Sequence, residues 1–160
     1  MQKRTAFKLC LAGATAVALN AAPVAVFAKD EPLKVAFVYV SPANEEGWSS
    51  QHDIARKFVE EKFGDKIKVA WIENIPENAD AQRVIRDLAQ QGNKIIFATS
   101  FGYMNSVMKV AKQFPNVYFE HATGYKTSKN VKNYTARFYE GRYLAGMLAA
   151  ATTKTNILGY

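Results

Sequence analysis

The sequence predicts an α/β fold, one lobe built on a doubly wound parallel sheet, and three observations carry that prediction. Short β-branched and aromatic runs alternate with segments of helical periodicity. Runs such as Val35 to Val40 are apolar at successive positions, as strands covered by helices on both faces require. Turn and capping residues punctuate the alternation, and right-handed crossovers convert such a β-α-β order into a wound sheet.

Each element follows from its residues. Lys34 to Val40 (KVAFVYV) reads as the first strand. The first helix is capped by Ser49 or Ser50, has Ile54, Ala55 and Phe58 as its expected inward stripe, and ends before Gly64. Ile67 to Glu73 is the second strand, and Asn78 or Asp80 starts a helix whose Val84, Leu88 and Ala89 share a face before Gly92 terminates it. Lys94 to Ala98 is the third strand. A helix from about Tyr103 to Gln113 turns Val107, Val110 and Ala111 inward and is stopped by Pro115. Asn116 to Glu120 and Asn133 to Arg137 read as the fourth and fifth strands. Glu140 to about Thr153 is helical, with Leu144, Leu148 and Ala151 on one face, and Asn156 to Tyr160 is expected to begin another strand. A strand that starts on the last residues leads nowhere, so the chain is expected to be part of a longer protein whose second lobe is largely missing.

Residues 1–28 have the pattern of a cleaved signal peptide. Lys3, Arg4 and Lys8 precede an apolar run from Leu9 to Leu19, and Val26-Phe27-Ala28 offers small residues at the cleavage spacing. Asn20 and Pro23 interrupt the run and argue against a membrane anchor. The chain of 160 residues has 21 Lys plus Arg against 14 Asp plus Glu, and without the leader the basic count falls to 18. That excess gives no reason to propose nucleic acid as a partner. Cys10 is the single cysteine and lies in the leader, which excludes a disulfide framework, a cysteine metal site and a cysteine nucleophile from the mature chain. The expected organisation is a signal peptide at 1–28, a ligand-binding lobe at 29–138, and a crossing segment with the start of a second lobe at 139–160.

Ligands of open parallel sheets gather at the carboxyl ends of the strands. That rule selects four loops: Ser41 to Trp48, Asn74 to Glu77, Thr99 to Tyr103, and His121 to Tyr125. Trp48, Phe101, Tyr103 and Tyr125 at one edge suit a ligand with a flat apolar face, although each ring taken alone serves equally well to cover the core. Glu45 and Glu46 lack a positioned third group for acid-base catalysis. His52 falls in a first helical turn, whereas His121 ends a strand where ligands gather; two histidines without cysteine make no metal site. G-x-G-x-x-G, Walker A and G-x-S-x-G are all absent, which argues against dinucleotides, nucleoside triphosphates and a hydrolase elbow. Lys126, Lys129, Lys132, Arg137 and Arg142 read as a solvated cluster.

In their order and spacing, VAFVYVSPANEEGWSSQHDIARKFVEEKFG, ATSFGYMNSVMKVAKQFPNVYFEHATGYK and ARFYEGRYLAGMLAA resemble the basic membrane protein family, the purine-nucleoside-receptor-like solute-binding proteins of ABC transporters. The resemblance implies two α/β lobes of the type I periplasmic-binding-protein kind that close on a purine nucleoside or base. It places Glu45 and Trp48 at the family's acid and stacking aromatic, Phe101 and Tyr103 in its aromatic loop, and Glu140-Gly141 before the first crossing between lobes. Ser49 stands where many members have Asn, which leaves nucleoside, free base and other heterocycles open. The expected ligand-binding set is therefore Glu45, Trp48, Ser100, Phe101, Tyr103, His121 and Glu140, with no catalytic residue, metal or cofactor. The expected partner is an ABC permease in the membrane, and the expected form is a periplasmic monomer. A secreted enzyme acting on nucleosides or sugars, with Glu45 or His121 as acid or base, and the ligand-binding subunit of a sensor are the alternatives.

Overall fold

The computed structural model describes residues 31–159, so the leader expected at 1–28 lies outside the described residues. Among the described residues five strands are present: β1 (Leu33–Val38), β2 (Ile67–Ile72), β3 (Ile95–Ala98), β4 (Tyr118–Ala122) and β5 (Val131–Tyr134). All pairs are parallel, in the order β2-β1-β3-β4-β5. The chain thus winds outward from β1 in both directions, and its switch point lies between β1 and β3.

The pleat sorts β1 onto two faces. Ala36 and Val38 join Ile96, Ala98, Phe119 and Val131 beneath α2 (Ala79–Gln90) and α3 (Met104–Ala111). Those helices bury Val84, Leu88 and Ala89, and Val107, Val110 and Ala111, as their spacing predicts. Asn78 caps α2 by accepting from the Asp80 amide at 2.8 Å. Asn130 fastens the start of β5 to the end of α3, its Nδ2 donating to the carbonyls of Ala111, Phe114 and Val117 at 3.1, 3.0 and 2.9 Å.

On the opposite face Val35, Phe37 and Tyr39 pack with Val69, Ile95 and Phe97, and Phe37 stacks on Phe97 with centroids 4.5 Å apart. Here α1 (Trp48–Phe63) corrects the expectation. Ile54 and Phe58 are 58% and 60% exposed, and the buried residues of the helix are Ser49, Asp53 and Arg56. The reason is chemical: the sheet offers this helix polar partners. Asp53 Oδ1 accepts from the Tyr39 hydroxyl at 3.4 Å and from Arg56 Nε at 2.6 Å, and Lys57 Nζ lies 2.9 Å from Asp53 Oδ2. Arg56 also reaches Glu60 and lays its guanidinium over the Trp71 ring, 4.0 Å from the centroid. Burial works against the Asp53 charge, but its hydrogen bonds to Arg56 and Lys57 outweigh that and hold the carboxyl below the ordinary carboxylate range. Burial, reinforced by Asp53, pushes the Tyr39 phenol well above its usual value.

α4 (Phe138–Thr152) has no buried residue, and Tyr143, Leu144, Met147 and Leu148 are all exposed. Residues 156–159 are not in a strand, contrary to the expectation for the chain's end. Among the described residues no helix is long and apolar enough to cross a membrane.

Candidate functional site

The loops that follow β1 and β3 meet at the switch point. Ser41 and Ala43 tie the first loop down, their amides donating to Ser49 Oγ at 3.2 Å and to Glu73 Oε2 at 2.8 Å. The chain then enters α1 with Trp48, whose indole Nε1–H donates to the Thr99 carbonyl at 2.5 Å. This bond spans the gap between β1 and β3 and fixes the plane of the ring. His52 lies 4.9 Å and Phe138 5.6 Å from the Trp48 ring, centroid to centroid, both tilted.

Trp48 lines two cavities, together with Thr123, Ala136 and Phe138. One, of about 840 Å³, opens at the carboxyl edge of the sheet and is bounded by Trp48, Ser100, Phe101, Thr123, Arg137 and Phe138, among others. The second, of about 490 Å³, lies behind the ring against α1 and is walled by His52, Ala55, Tyr134 and Phe138. The edge cleft combines aromatic residues with two hydroxyl residues, Ser100 and Thr123, and two arginines, Arg137 and Arg142. That mixture suits a flat ligand carrying polar substituents.

The segment after β3 is held from beneath. His121 is buried, and its Nε2 lies 2.7 Å from the Ser100 carbonyl. A carbonyl only accepts, so Nε2 carries the hydrogen of that bond. His121 Nδ1 and Asn133 Oδ1 are buried without a hydrogen-bond partner among the described residues. Gly124 runs so close to the His121 ring that a methyl there would collide with it. Tyr103 is fully buried and donates its hydroxyl to the Ile75 carbonyl at 2.5 Å. Burial, with a smaller contribution from Glu77, pushes its phenol well above the usual range.

Of the residues singled out in the sequence, the structure brings Trp48, Ser100 and Phe101 to one cleft. Tyr103 and His121 line neither cavity; the Tyr103 hydroxyl and His121 Nε2 are each bonded to a backbone carbonyl. Glu45 is exposed on the loop before α1 and lines neither cavity. Glu140, on the first turn of α4, pairs with Arg137 at 3.2 Å. Tyr125 is exposed, with its ring 6.3 Å from that of Phe101. Arg137, Arg142, Thr123 and Phe138 were not among the expected ligand residues. The two arginines belong to a basic run that reads as solvated, and only the path of the chain after β5 carries them to the cleft.

The family model described as ABC transporter substrate-binding protein PnrA-like, the Bmp family, matches residues 33–160. The chain belongs to the Bmp family. A purine-binding protein of Brucella abortus is 55% identical over 131 residues, which cover 82% of this chain and 37% of that protein. A Haloferax volcanii protein named as an ABC transporter glucose-binding protein is 40% identical over 130 residues, 81% of this chain and 33% of its own length. The chain thus spans about a third of the length of each of these two curated relatives. Among solved structures, an ABC transporter solute-binding protein from Conexibacter woesei superposes with a TM-score of 0.62 at 22% identity, over 74% of this chain and 40% of that one. That likeness shows the fold of a solute-binding lobe, and the Bmp chain carries its cleft where such a wound sheet collects ligands.

Proposed function

We propose that this Bmp-family chain is part of an extracytoplasmic solute-binding protein that delivers a purine nucleoside or purine base to an ABC importer. The observation that carries the reading is the convergence of Trp48 and Phe101 on one cleft at the switch point, with Ser100, Arg137 and Arg142 around them. Two rings flanked by guanidinium groups match a planar heterocycle with polar edges. The name of the Brucella relative, purine-binding, supports the same ligand class.

In this reading Trp48 stacks on the heterocycle with its N–H already engaged, so the ring contributes its face and not a hydrogen bond. Phe101 closes the opposite rim. Glu45, three residues before Trp48 but outside both cavities, takes its role as acceptor for ring N–H or sugar hydroxyls from its place in the family motif alone. Tyr103 and His121 act through the backbone they support, and Glu140 through Arg137. Residues 139–160 enter a second lobe, which covers the exposed apolar side of α4 and supplies the other wall of the cleft. The protein works as a periplasmic monomer, released from its leader, and hands its closed form to a permease. A catalytic role for His121 is disfavoured because its Nε2 is spent on Ser100 and the ring is buried.

Calorimetry with adenosine, guanosine, inosine, adenine and glucose, on the whole protein and on this chain alone, tests the reading. The expected result is binding of a purine by the whole protein and much weaker binding by the chain, which holds one wall. Glucose binding without purine binding transfers the site to the sugar class suggested by the Haloferax relative's name. Tight binding by this chain alone overturns the two-lobed clamp. Product formed from nucleoside on prolonged incubation replaces the receptor by an enzyme.

A further inference from the structure

Phe101 opens a one-turn 3-10 segment, Phe101–Tyr103, and that segment and the two residues before it are fastened from several sides. Trp48 takes the Thr99 carbonyl, His121 takes the Ser100 carbonyl, and the Tyr103 hydroxyl is spent on Ile75. The remaining fastening comes from the loop after β2. Glu77 Oε1 accepts from the Ser100 hydroxyl and, at 3.0 Å, from the Gly102 amide. The carboxylate lies flat against Gly102, where any side chain would collide with it. Glu77 is itself exposed, belongs to no core cluster and lines neither cavity. Phe101 is 53% exposed and projects from the fastened segment.

We propose that Glu77 is a positioning residue for ligand binding, a carboxylate clamp on Ser100 and Gly102 that holds the Phe101 ring at the rim of the cleft. Gly102 serves the clamp by leaving room for the carboxylate. The proposal rests on the reading of Phe101 as a wall of the ligand site. Loss of the clamp frees Ser100 Oγ and the Gly102 amide to water and lets the ring swing, so the affinity contributed by Phe101 is lost while the core stays intact.

The test has two arms. Amide hydrogen exchange of the whole protein without ligand reads the clamp directly: Glu77→Ala is expected to speed exchange at Gly102 by about tenfold or more, as a protected amide becomes solvated, and Glu77→Gln to leave it near wild type because the amide oxygen still accepts. An unchanged Gly102 amide in Glu77→Ala overturns the proposal. The second arm is a double-mutant cycle on the affinity for whichever of adenosine, guanosine, inosine and adenine binds most tightly. Glu77→Ala is expected to weaken binding about tenfold, and Glu77→Ala with Phe101→Ala to bind no more than about twofold worse than Phe101→Ala alone. Weakening by the product of the two single effects overturns positioning and leaves Glu77 a local brace. If Phe101→Ala binds as wild type, the reading of Phe101 as a wall of the site falls and takes the positioning role with it. If none of the four purines binds, the ligand class falls while the exchange arm still decides the clamp.

Discussion

The indole of Trp48 reaches across the switch point of the sheet to the Thr99 carbonyl, 2.5 Å away, so the loop that follows β1 and the loop that follows β3 are joined by a side chain that also walls the cleft. Ring position and loop position are therefore one variable. A substitution that keeps an aromatic face but drops the N–H separates them.

Trp48→Phe is expected to retain part of the ligand affinity and Trp48→Ala to lose about ten- to a hundredfold, the range that base-aromatic stacking supplies. Calorimetry with the best-bound purine measures both. Equal affinities for Trp48→Ala and wild type would remove the stacking role.

Gly124→Ala places a methyl against the buried His121 ring, whose Nε2 is bonded to the Ser100 carbonyl. An overpacked site of this kind costs about 1–3 kcal/mol. Thermal unfolding is expected to show that loss, and ligand affinity is expected to fall with it because His121 supports Ser100.

Asp53 carries a depressed folded-state pKa, so its contribution to stability is present above the unfolded-state value, roughly 4, and is lost as pH falls through the lower folded-state value. Between about pH 5 and pH 2 the wild type is therefore expected to lose more stability than Asp53→Asn. Denaturant midpoints across that range check it; parallel curves would show that the Arg56 and Lys57 contacts contribute no linkage.

Phe58 and Leu88 separate the two kinds of helix packing. Leu88→Ala removes a fully buried side chain and is expected to cost about 2–5 kcal/mol, whereas Phe58→Ala on exposed surface is expected to stay within about 0.5 kcal/mol. A large cost at Phe58 in chemical denaturation would restore it to an interior.

The order of elements was legible because β1, β3 and the helices α2 and α3 obey one rule each: apolar on two faces for the strands, one apolar stripe for the helices. α1 defeated the rule because two stripes compete at helical spacing. Ile54 and Phe58 form the apolar one; Ser49, Asp53 and Arg56 form the other, and the sheet chose the latter through Tyr39 and Trp71, partners invisible from the helix alone. At the site, the carboxyl-edge rule selects the loops holding Trp48, Ser100 and Phe101, but neighbours in sequence do not declare which ring turns inward. Tyr103 is two residues from Phe101 and wholly enclosed because Ile75 offers its hydroxyl an acceptor. Arg137 and Arg142 reach the cleft only through the turn from β5 into α4, which no local pattern announces.

The guanidinium lying over Trp71 has an optical consequence. The chain has two tryptophans, one capped by Arg56 on the α1 side of the sheet and the other standing in the cleft. Their emission is expected to respond to different events: Trp71 to loosening of the first helix, Trp48 to whatever enters beside it. Within residues 1–160, Trp71→Phe leaves Trp48 at the mouth as the single emitter, an intrinsic gauge of what enters beside it.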